Sequence, residues 1–332
     1  HRKQFNRSLV EMEAIQKKLI NIFYSTWCIQ SSIYLTNYML DNNERPSVIS
    51  AIMKEQCTER ARDCLTNAMD IYAGSGICLG KNNYLEKFYR AAPVGITVEG
   101  SNTLTNSLII FGQGLNKSHP QIGNILDSIL ENNVDKFSNH FNAILYDSIS
   151  IYFRSIISNN FKENNLENQV LLFANLSNFV ALYGGKIKSK QFISSDMANI
   201  LSNIYMAYSI KEYQRVFKVS DILTDYCIQR LLNENTNHFN NVINNYDFSF
   251  KYLLFPLKQK NIPLDYKDST NVMNEILNNS TIIDHIKEDI YLEDTIFHNY
   301  EKLNNLSKDT EEYKILYNDI ISVGEYPIQL TE

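Results

Sequence analysis

Helix-breaking residues are scarce, with only 11 glycines and six prolines among 332 residues. Together with the lack of any sustained Val/Thr alternation, this excludes sandwiches, barrels, collagen-like chains and linker-dominated chains. The length holds one large domain or two modest ones with real cores. A basic surplus is missing too: the formal net charge is −6, and Lys and Arg are scattered apart from a cluster at Lys186, Lys188 and Lys190. Nucleic acid is therefore not an expected partner. The five cysteines (Cys28, Cys57, Cys64, Cys78, Cys227) are odd in number and form no CxxC pair, which fits a reducing, cytoplasm-like compartment better than a disulfide framework. The longest apolar stretches, such as residues 170–183, are interrupted by Asn and Ser and fall short of the roughly 20 residues of a spanning helix. No signal peptide is visible, and the chain starts at His1 rather than Met, so a piece of a longer protein is expected.

Several chemistries lack their residues. No His sits in HExxH or in an i, i+4 pair, and no Cys/His cluster has zinc spacing, so no metal is expected. Gly74, Gly76 and Gly80 do not make GxGxxG, and there is neither a Walker lysine nor a GxSxG elbow, which sets aside nucleotide loops and hydrolase nucleophiles of those types.

What is present is helical periodicity. Phe5, Leu9, Met12, Ile15, Leu19 and Ile22 recur at three- and four-residue steps, predicting a helix from Phe5 to about Leu40. After a polar turn at 41–46, Ser47 reads as an N-cap for a second stripe that ends at Gly74. Two long helices joined by a short turn should pack antiparallel. Glycine usage then changes: none before Gly74, eight from Gly74 to Gly123, and only Gly184, Gly185 and Gly324 beyond. Glycine serves positive φ or close backbone approach, so this window is expected to hold the functional loops.

Within it, a helix over 84–92 should stop at Pro93, residues 94–100 should be extended, and a third long helix should run from near Ser101 to Gly112–Gly114. Pro120 marks a boundary. Further helices are expected over 125–157, 166–183, 192–213 and 219–246, and over 272–286 within an irregular acidic tail. The Asn-rich stretch 233–245 carries Phe239 and Val242 at helical spacing and reads as helix, not low-complexity disorder. The stripe Leu171, Leu172, Ala174, Leu176, Phe179 and Val180 should face a second, Ile193, Met197, Ile200, Leu201, Ile204 and Ala207, across the Gly184–Gly185 turn.

Glu99 is the residue left for chemistry, in Gly95-Ile-Thr-Val-Glu-Gly-Ser101. A carboxylate beside apolar Ile96 and Val98 has its charged form disfavoured, which suits a general base. Composition alone favours the plainer reading, an acid placed favourably for a helix dipole.

The segment Phe88-Tyr-Arg-Ala-Ala-Pro-Val-Gly-Ile-Thr-Val-Glu-Gly-Ser-Asn-Thr-Leu-Thr105 resembles the acyl-CoA dehydrogenase signature, in which an arginine stands nine residues before the catalytic Glu-Gly. Arg2-Lys-Gln-Phe5 is similar to the Arg-x-(Gln/Thr)-Phe that opens that family's C-terminal helical domain, and Ala68-Met-Asp-Ile-Tyr-Ala-Gly-Ser-Gly76 to its Gln-x-x-Gly-Gly-x-Gly loop. Glu44-Arg-Pro-Ser-Val-Ile-Ser-Ala-Ile52, Ile109-Ile-Phe-Gly-Gln-Gly114 and Leu201-Ser-Asn-Ile-Tyr205 resemble the bacterial long-chain enzymes of fatty-acid β-oxidation, which carry a helical C-terminal extension.

The resemblance implies an all-α fold, with the C-terminal helical bundle over 1–120 and a second all-helical domain over 121–332, and without the family's N-terminal and middle β domains. It implies FAD as cofactor, long-chain acyl-CoA as substrate, an electron-transferring flavoprotein as acceptor and a homo-oligomer, in the bacterial cytoplasm or peripherally on the cytoplasmic face of the inner membrane. Glu99 would remove the pro-R α-proton while a hydride leaves the β-carbon for flavin N5, and its backbone N–H would polarise the thioester carbonyl. Arg2, Gln4 and Phe5 would contact the FAD of a partner subunit, the guanidinium suiting the pyrophosphate. Asp70, Ala73 and Gly74 would meet its adenosine end, and Ser101 and Thr103 the flavin of the same subunit. Three positions depart from the pattern: Asp70 replaces Gln, Ala73 replaces the first glycine, and Val98 replaces an aromatic residue, leaving room beside an acyl chain. The alternative is a non-catalytic helical interaction module derived from this family. For 121–332 the expectation is packing and association without a catalytic group, with the lysines at 186, 188 and 190 as an attachment surface.

Overall fold

The two long apolar stripes become the helices α1 (Glu13–Asp41) and α2 (Ser47–Tyr72). In the computed structural model, which describes residues 2–80, 82–115, 121–161, 165–247, 249–261, 263–288, 290 and 296–320, the elements after them are α3 (Gly74–Ile77), α4 (Leu85–Thr97), α5 (Asn102–Leu104), α6 (Ile122–Leu130), α7 (Val134–Phe161), α8 (Leu166–Ala181), α9 (Gln191–Phe217), α10 (Asp221–Asn245), α11 (Lys251–Leu254), α12 (Tyr266–Asn278), α13 (Ser280–Lys287), α14 (Ile296–Asn305) and α15 (Glu311–Ile320). The fold is all-α, and the described strands are the two-residue β1 (Lys3–Gln4) and β2 (Arg7–Ser8). No described helix is long and apolar enough to cross a membrane.

The chain divides into two compact units. One contains residues 1–27, 58–96 and 266–332; the other contains 28–57 and 97–265. In the first, α1 and α2 are antiparallel: Lys18 pairs with Asp70 at 2.6 Å, the Cys64 thiol donates to the Ile22 carbonyl at 3.7 Å, and the Arg60 guanidinium lies over the Tyr24 ring at 5.1 Å. Residue number falls on one helix as it rises on the other. The core of this unit includes Ile20, Tyr24, Trp27 and Leu85, and the tail adds a cluster of Leu303, Tyr313 and Ile320. The hydroxyls of Tyr84, Tyr72 and Tyr300 form a chain at 3.0 and 3.1 Å.

In the second unit α9 is wrapped by α8 and α10. Leu176, Met197, Ile200, Met206, Ile210, Leu231, Phe239 and Val242 are fully buried. A polar network threads this core: Asn203 donates to Asn235 at 3.0 Å, Asn235 to Gln169 at 2.8 Å, and Gln169 to the Leu232 carbonyl at 2.8 Å. Helix ends are capped as the sequence chemistry directs: Asn165 accepts from the Asn168 amide and Ser220 from the Leu223 amide, while α9 ends at Lys218 in the left-handed region.

Five expectations are corrected. The first helix does not begin at Phe5, because residues 3–8 fold as a hairpin with Phe5 and Asn6 at φ 51° and 59°. That is the turn geometry which matches strand twist in two-residue loops, and it overrides the apolar spacing. Residues 94–97 are helical, not extended, since α4 runs through Pro93. A proline removes one donor from a helix interior, but at Gly95 α4 approaches α2 so closely that an added Cβ would lie 3.2 Å from Thr58 Cγ2, and this docking holds the last turn. The helix after Ser101 leaves the α form: residues Thr105–Gln113 are a π-helix. The pattern over 125–157 is broken by Asn132 at φ 50° and by Asn133, which caps α7 through the Lys136 amide. The pattern over 272–286 is broken by Asn279, whose side chain accepts from the Thr281 amide. The tail also holds α14 and α15, which were not expected although Phe297, Tyr300 and Leu303, and Tyr313, Leu316 and Ile320, recur at helical spacing. Pro120 lies outside the described residues.

Candidate active site

Arg2, Gln4, Phe5, Asp70, Ala73 and Gly74 fall in the first unit, and Glu99, Ser101 and Thr103 in the second. The first unit brings its two groups together. The Arg2 guanidinium donates to the Ile71 carbonyl at 2.8 Å, and the Leu9 amide donates to the Arg2 carbonyl at 2.9 Å, so the hairpin is tied to the end of α2 beside the 70–74 loop. Gln4 is half-buried in the ladder opposite Arg7, whereas Phe5 stands at the tip with 86% of its surface exposed. The hairpin turn accounts for the positive φ of Phe5, and its ring is left free of packing within the chain.

In the 70–74 loop, the Ala73 amide still bonds the Met69 carbonyl at 2.9 Å, after which the chain turns sharply with Ala73 at φ 49°, ψ −129°. Glycine adopts that conformation without penalty and alanine does not. The following turn is braced by Asn83, whose side-chain amide donates to the Gly76 and Cys78 carbonyls at 2.8 and 2.9 Å. Gly76 itself is buried, where an added Cβ would lie 3.3 Å from Met69 Sδ and from Tyr72 Cβ. Asp70 is ion-paired with Lys18, so its charge is offset.

In the second unit Glu99 and Gly100 make a turn with φ 55° and 96°. Glu99 and Val98 are both exposed, so the apolar neighbours expected to desolvate the carboxylate do not do so within this chain. Ser101 takes the N-cap position without a side-chain cap bond, Thr103 is exposed, and the Thr105 amide donates to the Ser101 carbonyl at 2.9 Å. Lys54 of α2 holds the turn. Its ammonium donates to the Gly100 carbonyl at 2.6 Å and to Asn102 Oδ1 at 2.5 Å. Sequence reading missed Lys54, whose partners lie 46 and 48 residues downstream and leave no local pattern. It also missed Asn106, which donates to Asn199 at 2.7 Å, accepts from Ser195, and anchors the π-helix to α9. π-helical turns concentrate at functional sites. Among the described residues no cluster of His, Cys, Asp or Glu suited to a metal is assembled.

Comparison with known proteins gives these features a family setting. Residues 1–111 match the model "Acyl-CoA dehydrogenase, C-terminal domain", and residues 162–324 match "Acyl-CoA dehydrogenase, C-terminal, bacterial type". A curated relative, the 3-(aryl)acrylate reductase of Clostridium sporogenes, is 29% identical over 108 residues, covering 32% of this chain and 28% of its own length. A crystal structure of an acyl-CoA dehydrogenase complexed with FAD from Bacillus anthracis superposes with a TM-score of 0.63 at 17% identity, covering 86% of this chain and 51% of its own. The chain thus spans about half the length of that solved structure and under a third of the curated relative. It has an acyl-CoA dehydrogenase-family fold, restricted to helical domains of the C-terminal type.

Proposed function

We propose that the chain is the base-bearing helical part of an FAD-dependent acyl-CoA dehydrogenase that oxidises long-chain acyl-CoA to the trans-2-enoyl-CoA. The observation that carries the reading is the Glu99 turn: an exposed carboxylate on a left-handed backbone, pinned through Gly100 by Lys54, at the entry to a helix. Glu99 takes the α-proton of the thioester, and its backbone N–H polarises the carbonyl, which acidifies that carbon. Exposure suits the role, because a general base must come within hydrogen-bond reach of the proton it takes.

The residues present fit a flavin dinucleotide. Arg2 offers a guanidinium suited to a pyrophosphate, Phe5 an exposed ring on a fixed hairpin tip, and Ser101 and Thr103 hydroxyls at a helix start. Asp70, Ala73 and Gly74 take the adenosine end, with Lys18 offsetting the carboxylate there. When bound, the flavin accepts the β-hydride. The same reading gives an electron-transferring flavoprotein as acceptor, a homo-oligomer in which Arg2, Gln4 and Phe5 serve a partner subunit's cofactor, and a place in the cytoplasm or at the inner face of the membrane. We set the domain boundary near residue 120, which the separate matches at 1–111 and 162–324 support. The second domain serves packing and association. Of its three clustered lysines, Lys190 is engaged by Asp247, so attachment rests on Lys186 and Lys188.

The relative named as an arylacrylate reductase supports a second reading, in which the same pair of carbons is reduced. Anaerobic titration of the complete gene product decides between them. Bleaching of the flavin by palmitoyl-CoA supports the dehydrogenase, whereas reoxidation of the reduced flavin by an arylacrylate, without bleaching by palmitoyl-CoA, supports the reductase.

A further inference from the structure

The second unit holds a half-open cavity of about 930 Å³ between the start of α2, the π-helix and helices α7, α8 and α9. Glu99, Ser101 and Thr103 are not among its lining residues. Its floor is Ile52, Ile110 and Phe111, none more than 2% exposed, and its walls add Ile151, Phe173 and Ile204. Left unfilled, such a cleft keeps hydrocarbon walls in contact with water, and an apolar ligand that covers them gains roughly 25 cal/mol per Å² of apolar surface buried. The volume lies in the range of about 300–1,000 Å³ typical of small-molecule sites.

Two observations narrow the occupant. Ser177 of α8 lines the cavity, and its hydroxyl is buried with no hydrogen-bond partner among the described residues. An unmet buried hydroxyl is destabilising unless a ligand meets it. The exposed lining residues Glu44, Arg45 and Asp147 carry two negative charges and one positive, so this rim does not favour an anionic head group. We propose that the cavity binds a single long aliphatic chain bearing one uncharged hydrogen-bonding group, such as a long-chain primary alcohol, with the chain on the Ile and Phe walls and the polar group on Ser177. The site is separate from the Glu99 turn and does not depend on the reaction assigned there.

The test is displacement of N-phenyl-1-naphthylamine from the full chain by primary alcohols of increasing length, below their aggregation concentrations, with palmitate as the charged arm. Affinity should rise about 2- to 4-fold per added methylene until the cavity is full, and hexadecanol should outcompete palmitate. Ser177→Ala should weaken alcohol binding about 3- to 10-fold, and Ala174→Trp, which places a large ring in the cavity, should abolish it. Circular dichroism checks that Ala174→Trp folds, and Ile151→Phe is the milder filling variant if it does not. Length-independent binding, alcohol affinity unchanged by Ser177→Ala, undiminished binding to a folded filling variant, or palmitate binding as well as hexadecanol would each overturn the proposal.

Discussion

Replacing Lys54 by Met keeps the aliphatic stem and removes only the ammonium that donates to the Gly100 carbonyl at 2.6 Å and to Asn102 Oδ1 at 2.5 Å. Hydrogen bonds from a charged donor are worth roughly 1.5–3 kcal/mol each. Water screens the half-buried Lys54, and ordering its side chain takes back up to about 2 kcal/mol, leaving a net loss of about 1–3 kcal/mol. The loss falls on a turn in which Glu99 and Gly100 both sit at positive φ and Asn102 is the first residue of the helix that follows. Urea denaturation of the chain measures the stability term. In the complete gene product, a loosened turn should lower kcat by about 10- to 100-fold with less change in KM if Glu99 is the base proposed above, since a base acts in the transition state and not in ground-state binding. Flavin content should be unchanged, and Lys54→Arg should restore part of the rate. A Lys54→Met protein with wild-type stability and wild-type kcat would refute the reasoning.

Ala73→Gly should stabilise the chain by about 1 kcal/mol, since glycine relieves a backbone conformation that costs other residues about 1–3 kcal/mol, less its own entropy; an unchanged urea midpoint would show that Ala73 is unstrained. Asn235→Leu should destabilise by about 2–5 kcal/mol, because it strips Gln169 and Asn203 of buried partners, read in the same denaturation experiment. Burial holds the Tyr84 phenol up to about 12, above its ordinary value near 10. The unfolded chain therefore loses that proton first: the contribution to stability is complete below about pH 10 and disappears as pH rises through about 12. Tyr84→Phe should flatten that alkaline decline in denaturation midpoints, and a decline of unchanged steepness would assign it elsewhere.

The helices with dense apolar stripes were legible from sequence. Leu172, Leu176 and Val180 on α8, and Met197, Ile200 and Ile204 on α9, recur at steps that only a helix turns to one side, and the structure buries them all. The misses have physical causes that spacing does not encode. Phe5 shares its interval with Leu9, but two consecutive positive-φ residues bend the chain into a hairpin. Pro93 is tolerated because of a close contact at Gly95 with a residue 37 positions upstream. At the site, the glycine-rich window located both loops, and the Ala73 departure became visible as a left-handed backbone. The surroundings of Glu99 did not follow, because apolar neighbours in sequence become exposed neighbours in a turn. Lys54 and Asn106 act across elements, so only the fold reveals them.

The central claim is that Glu99 is the base, and the most direct measurement is the rate of anaerobic flavin reduction by palmitoyl-CoA in the complete gene product carrying Glu99→Gln. The amide keeps the shape of the side chain and cannot accept a proton, so the rate should fall by about 10²- to 10⁴-fold or more with flavin still bound. Bleaching at the wild-type rate would remove Glu99 from the mechanism.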